Sequence, residues 1–83
     1  MIDPVLYDLI EYFEDCIYDA YVYLDVNTED IFDKLQNKAV EEAMDDIRTE
    51  PMIIHNYDLD YVMGLAIKKC SFKDYINYRT LHF

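Results

Sequence analysis

The sequence is poor in the residues that interrupt helices and form turns. Its 83 residues include one glycine, two prolines and no tryptophan, and they contain no internal repeat or low-complexity segment. Because glycine and proline are the strongest markers of turns and linkers, their scarcity leaves little room for a long flexible arm. The composition therefore predicts one rigid domain that spans residues 1–83.

Residues of the types that usually act in catalysis or metal binding are also few. Ser71 is the only serine, His55 and His82 are the only histidines, and the two cysteines, Cys16 and Cys70, have no metal-binding or redox spacing. Neither histidine stands at a helical spacing from a cysteine or a carboxylate pair, as a catalytic base would. We expect no catalytic residue, no enzymatic activity and no cofactor, and the cysteines are predicted to be buried free thiols.

One acidic segment matches the start of a calcium-binding loop but not the rest of it. In DVNTED, Asp25, Asn27 and Glu29 occupy the first three ligand positions. The sharp turn that needs glycine holds Asp30 instead, and Gln36 stands where a bidentate glutamate is required. The Glu-x-x-His pairs of di-metal bundles are absent too, so no metal site is predicted.

No segment has the composition of a membrane span or an export signal. The start, MIDPVLYD, has no basic region before an apolar stretch. No window approaches the ~20 consecutive apolar residues of a membrane span. We expect a protein without membrane contact, located in the cytoplasm, or in the host cytoplasm if it is viral.

Positive charge is missing from the first part of the chain, where no base precedes Lys34. Residues 1–50 hold fifteen acids against three bases, a balance of −12, whereas residues 51–83 hold three acids and four bases, a balance of +1. An apolar fraction of 53% is too high for a disordered acidic chain, so a packed core is expected despite the net charge of −11. Nine tyrosines exceed what such a small core can bury, and several are expected at the surface.

The spacing of apolar residues predicts an all-α fold, a compact bundle of four to five short helices. Asp3 and Pro4 mark the start of a first helix over residues 4–24. Its apolar face is predicted to consist of Leu6, Leu9, Ile10, Phe13, Cys16, Ile17, Ala20, Tyr21 and Leu24. A second helix is expected to end at Pro51.

We expect Asn27 or Thr28 to cap the start of the second helix. The apolar residues before and after residues 36–38 do not lie on quite the same face, which would fit a break there. One continuous helix is nevertheless favoured over two. The following stretch, TEPMIIHNYD, is predicted to be an extended connection.

Two shorter helices complete the prediction. Asp58 begins a central helix in which Gly64 is expected to permit close approach of another backbone. Ser71 and Asp74 form a capping box that opens a last helix at about 72–80.

Carboxylates concentrate on one side of the first predicted helix, where side chains three and four residues apart are neighbours. The predicted partner-binding residues are Asp8, Glu11, Glu14, Asp15, Asp19 and Asp25, with the tyrosines Tyr7 and Tyr18. A secondary acidic face is predicted on the second helix at Asp33, Glu41, Glu42, Asp45 and Asp46.

This charge argues against direct nucleic-acid binding, which depends on cations that release counterions from phosphates. From Asp8 to Asp25 the predicted helix carries a carboxylate about every 4 Å, and one DNA strand carries a phosphate per ~3.4 Å. Such a face would fill the nucleic-acid groove of a basic protein, with tyrosines where bases would stack. We therefore expect an inhibitor or decoy of the DNA-mimic type that binds a nucleic-acid-binding enzyme such as a nuclease.

In size and charge the chain is similar to phage-encoded inhibitors of restriction or CRISPR nucleases, a likeness that rests on no motif. Counter-defence of this kind is the first expectation. An alternative is an immunity protein or antitoxin, which would neutralise a nuclease toxin through the same charge complementarity. A non-catalytic adaptor or a homodimer built through exposed tyrosines is the remaining alternative.

Overall fold

The computed structural model describes residues 4–49 and 57–83. Five helices account for most of them: α1 (Pro4–Tyr23), α2 (Glu29–Lys34), α3 (Gln36–Thr49), α4 (Leu59–Lys69) and α5 (Phe72–His82). No strand occurs within either described range. The predicted all-α bundle of four to five short helices is confirmed.

Helix α1 is the centre of the bundle. Helices α3 and α4 pack along it, and α5 crosses its C-terminal half. The predicted apolar face is confirmed, with Leu9, Ile10, Phe13, Ile17, Ala20 and Tyr21 buried and Leu6, Cys16 and Leu24 half-buried. The Cα radius of gyration is 12.5 Å, close to the ~12 Å expected of a compact domain of this length.

The prediction of one continuous second helix is wrong, because the helix is interrupted at Leu35. The Leu35 N–H donates to the Ile31 carbonyl at 2.9 Å and ends α2, and the Leu35 carbonyl accepts from the Ala39 N–H at 2.9 Å as α3 begins. Phe32 stacks on Tyr21 with ring centroids 4.3 Å apart, whereas α3 packs its small residues against α1. The break lets each half of the drifting apolar stripe face its own neighbours.

Side-chain caps start three of the helices. Thr28 Oγ1 accepts from the Ile31 N–H at 3.3 Å, Asp58 Oδ1 from the Asp60 N–H at 3.0 Å, and Ser71 Oγ from the Asp74 N–H at 3.1 Å. The predicted starts at Asp58 and Ser71 are confirmed. Each cap satisfies a backbone donor that has no partner inside the helix.

Helix α5 is fastened to the loop between α1 and α2. The Val26 carbonyl accepts two hydrogen bonds from α5, one from the Tyr75 hydroxyl at 2.5 Å and one from Arg79 Nη1 at 2.8 Å. Asp25, the preceding residue, has a φ of 58°, a left-handed conformation in which Asp is enriched. The left-handed turn at Asp25 directs the Val26 carbonyl toward α5.

Several predictions fall on residues outside the described ranges. These are the Asp3 cap, the extended connection and His55. None of the helices in the described ranges combines the length and the hydrophobicity that a membrane span requires.

Candidate functional site

Four carboxylates form a strip along the exposed side of α1. Asp8, Glu11, Asp15 and Asp19 are spaced by three, four and four residues, so they share one face of the helix, and all four are exposed. We call them the α1 acidic strip. They are the part of the predicted site that the structure brings together as expected.

No ion pair neutralises this strip within the described part of the chain. The ion pairs found there join Lys34 to Asp30 at 3.0 Å and Arg48 to Asp45 at 3.8 Å, each within one helix. Both are well exposed, so each stabilises its helix by a few tenths of a kcal/mol at most. The charge of the α1 acidic strip therefore faces solvent.

Helix α5 approaches the C-terminal end of the strip. The Tyr78 hydroxyl donates to Asp19 Oδ1 at 2.6 Å, and the His82 ring lies on the Tyr78 ring with centroids 4.3 Å apart. Burial, and then repulsion from Asp19, raises the pKa of the Asp15 carboxyl, while His82 opposes that shift. Asp19 is therefore bound within the fold, and Asp8, Glu11 and Asp15 are the strip's most available carboxylates.

Tyr7 and Glu14 lie at the border of α1 that faces α4. The Lys69 ammonium sits 4.7 Å from the centroid of the Tyr7 ring, a cation–π distance, although 43% of Tyr7 stays exposed. Glu14 is half-buried, and burial raises the pKa of its carboxyl while Lys69 opposes the shift. Both predicted residues thus share a basic neighbour that their position in sequence did not indicate.

The prediction that Tyr18 stands on the acidic face is wrong. Tyr18 is only 5% exposed and packs against Tyr78 and Tyr75, with ring centroids 5.3 and 6.1 Å apart. Helix α5 covers the side of α1 that the helical projection left open. An aromatic residue at the border of a helix's apolar arc is buried or exposed according to which neighbour packs there.

Asp25 is exposed but does not continue the strip. Helix α1 ends at Tyr23, and the Asp25 N–H donates to the Val22 carbonyl at 3.0 Å in the loop that follows. The helical row of carboxylates predicted from Asp8 to Asp25 therefore ends before Asp25. Asp25 belongs to the loop that α5 fastens.

The secondary acidic face divides into separate groups. The break at Leu35 separates Asp33 on α2 from the other four residues on α3. Burial, and then repulsion from Asp19 and Asp46, raises the pKa of the Cys16 thiol, so Asp46 lies within electrostatic range of that side chain on α1.

The remaining acids of α3 diverge from Asp46. Glu41 instead lines a groove toward α4, and Asp45 pairs with Arg48 of that groove. Glu42 is half-buried. Of the acids on α3, Asp46 is the one within electrostatic range of Cys16 on α1. We call the α1 acidic strip together with Asp46 the acidic face.

The structure shows the surroundings of the metal-binding residue types, the two cysteines and Ser71. No three of their His, Cys, Asp or Glu side chains are grouped closely enough to hold a metal ion. Burial raises the pKa of the Cys16 thiol to about 11 and that of Cys70 to about 12, so neither forms the reactive thiolate near neutral pH. Ser71 is used as a helix cap.

Sequence reasoning missed the groove between α3 and α4, although Gly64 was its signal. We expected this glycine to permit close approach of a backbone, and that prediction is wrong. A Cβ built at Gly64 meets nothing within 4 Å. The glycine opens onto a groove instead.

Comparisons with known proteins assign no relative to this arrangement. No protein-family model matches the chain, and neither a curated protein nor a solved structure matches it. A functional proposal for this fold therefore rests on the chemistry of its surface.

Proposed function

We propose that this protein binds the cationic nucleic-acid-binding cleft of a partner protein through its acidic face and keeps nucleic acid out of that cleft. One observation carries the proposal: the α1 acidic strip is exposed and unpaired by any base in the described residues. Like charges at helical spacing cost a few tenths of a kcal/mol per pair. A cationic partner relieves that repulsion.

The dimensions of the strip suit a short length of nucleic-acid backbone. From Asp8 to Asp19 the helix rises roughly 16 Å, with a carboxylate about every 5 Å. One DNA strand carries a phosphate per ~3.4 Å of axis, so the strip covers the span of about five phosphates at lower charge density. Asp46 of α3 adds charge within electrostatic range of Cys16 on the same helix as the strip.

The partner we favour is a nuclease that acts in defence against phages, such as a restriction or CRISPR nuclease. A small, acidic, helical chain suits an inhibitor that acts by occupying a site. Association would be fast and would weaken with salt, because complementary fields steer the encounter.

A competition assay tests this proposal. A labelled DNA duplex is bound to each member of a panel of purified restriction, CRISPR and toxin nucleases, and its release by the full chain is followed by fluorescence anisotropy. We expect stoichiometric release from at least one nuclease, with affinity falling by a factor of ten or more between about 50 and about 200 mM salt. The nuclease that responds separates counter-defence from toxin immunity.

Matched charge variants locate the surface. Asp8→Asn, Glu11→Gln and Asp15→Asn together should abolish release, because they neutralise the available carboxylates of the strip. Changing Glu29, Asp30 and Asp33 of α2 to their amides alters the net charge equally and should retain most of the activity. Equal loss in both triple variants, an affinity that is flat in salt, or no response from any nuclease would overturn the proposal.

A further inference from the structure

A groove with a volume of about 340 Å³ lies between α3 and α4. Its apolar lining comes from Val40 and Met44 of α3 and from Met63 and Ile67 of α4. The two methionines are buried at 7% and 3% exposure, whereas Val40 and Ile67 are half-buried. This volume is at the lower end of the ~300–1,000 Å³ range of ligand pockets, so it suits inserted side chains better than a large cofactor.

The groove exists at this depth because position 64 has no side chain. Gly64 is the only glycine of the chain, and it lies in the middle of α4 with a negative φ. A Cβ there would meet nothing within 4 Å, so no close contact requires a glycine. Glycine inside a helix costs about 1 kcal/mol relative to alanine. Any larger residue at this position would extend into the groove.

The rim of the groove favours a cation. Glu41 and Asp60, both exposed, stand on opposite helices at its edge. Arg48 is the one basic residue among the described lining residues, and it already forms an ion pair with Asp45 at 3.8 Å. An apolar floor between two carboxylates complements an apolar side chain flanked by lysine or arginine.

We infer that the groove between α3 and α4 receives an apolar side chain from a basic amphipathic helix of the partner. The inference rests on the proposed function for the partner's basic character, and it adds a second contact that supplies apolar burial where the acidic face supplies charge. Methionine side chains adapt to inserted groups, as in other grooves that accept amphipathic helices. A second copy of this chain fits less well, because its net charge of −11 would meet the acidic rim.

A synthetic helical peptide provides the probe. A peptide of about 14 residues, with leucines at helical i, i+3 and i+4 spacing and lysines elsewhere, presents the required chemistry. Titrated into the isotope-labelled full chain, it should shift the backbone amide resonances of the groove-lining residues on α3 and α4. A peptide of the same composition with scrambled order keeps the charge and loses the apolar stripe, and it should bind at least tenfold more weakly.

Filling the groove gives the decisive variant. Gly64→Leu should weaken peptide binding tenfold or more, because the new side chain occupies the space that the peptide needs. Asn77→Leu, on the exposed side of α5, adds a leucine outside the groove and should leave binding unchanged. If Gly64→Leu does not fold by circular dichroism, Gly64→Ala is used instead and should weaken binding several-fold.

Unchanged affinity in the filled variant would overturn the inference, as would amide shifts confined to α1. A dimer in sedimentation that dissociates in Gly64→Leu would overturn it in favour of a second copy. The two proposals fail separately. If no nuclease releases DNA but the peptide seats in the groove, the acidic-face proposal fails and the groove stands. If DNA is released equally by the Gly64→Leu chain and the peptide does not bind, the groove fails alone.

Discussion

The tyrosines show how single residues of one type take different roles in this small protein. Tyr18, Tyr21 and Tyr75 are buried, whereas Tyr7, Tyr12, Tyr23 and Tyr61 are exposed by 40% or more. Each phenol ring buries apolar area but keeps a hydroxyl that needs a partner. Tyr75 satisfies both needs, because its ring lies in the core and its hydroxyl reaches the Val26 carbonyl.

Replacing Tyr75 by phenylalanine should lower the free energy of unfolding by about 1 kcal/mol, the net worth of an ordinary buried hydrogen bond. The cost stays modest because Arg79 continues to donate to the Val26 carbonyl. In thermal unfolding followed by circular dichroism, the midpoint should fall by roughly 4–8 °C for a domain of this size. Tyr61→Phe, at a residue 58% exposed, should leave the midpoint unchanged; an equal fall in both variants would contradict the anchoring role of Tyr75.

The two cysteines should react slowly and in a fixed order. Burial raises the pKa of the Cys16 thiol to about 11 and that of Cys70 to about 12, and only the thiolate attacks an alkylating reagent. At pH 8, alkylation by iodoacetamide, followed by peptide mass spectrometry, should modify Cys16 before Cys70. Relative to the unfolded chain, Cys16 should react about a hundredfold and Cys70 about a thousandfold more slowly. Urea should remove the difference, and rapid labelling of Cys70 in the folded protein would refute the prediction.

At the scale of the elements, helix starts were predictable because they depend on local hydrogen bonds. Asp58 and Ser71 each satisfy a donor two or three residues ahead, a pattern that a linear sequence records directly. The break at Leu35 was not predictable in the same way. It depends on Phe32 and α3 packing against different neighbours, which the local pattern shows only as a drifting stripe.

Gly64→Ala should stabilise the protein by about 0.5–1 kcal/mol, because alanine is the better helix former and its Cβ has open space. Urea unfolding followed by circular dichroism should show a higher midpoint with an unchanged slope. Ala66→Gly, two residues on in the same helix, provides the reverse comparison and should destabilise. A loss of stability in Gly64→Ala would mean that a contact fills the space beside Gly64.

At the scale of the whole molecule, stability is limited by repulsion among carboxylates. The net charge is −11, and the ion pairs of the described residues lie within single helices. Self-repulsion of this kind opposes the compact state and is screened by salt. The acidic face thus has a thermodynamic cost in the free protein.

Mild acid should therefore stabilise the fold. The pKa values of Glu14 and Asp15 are raised from 4.5 and 3.8 by burial, so the folded state binds protons more tightly than the unfolded chain. The free energy of unfolding then rises as pH falls through the raised values toward the ordinary ones. At low salt, the thermal midpoint should be higher near pH 5 than at pH 7, and added salt should raise the pH 7 value.

The double variant Glu14→Gln and Asp15→Asn provides the control for this pH dependence. It removes both titrating carboxylates, so the gain between pH 7 and pH 5 should shrink. A midpoint that falls between pH 7 and pH 5 in the unaltered protein would contradict the account.

The candidate site shows the same division between local and distant causes. The exposure of Asp8, Glu11 and Asp15 follows from helical spacing alone, and the sequence predicted it. The bond between Asp19 and Tyr78 joins residues 59 positions apart, and no local pattern indicates it. Tyr18 lies at the border of the apolar arc, where helical projection does not decide between core and surface.

The order of residues alone predicts that this chain is helical, where most of its helices start, and that its negative charge lies in its first part. Those properties follow from capping, apolar periodicity and composition, all of which act over a few residues. The packing of the helices was needed to show which border residues are covered, which acids are neighbours, and that Gly64 opens onto a groove. These features depend on how α5 crosses α1 and how α3 lies beside α4, contacts made between residues far apart in the chain.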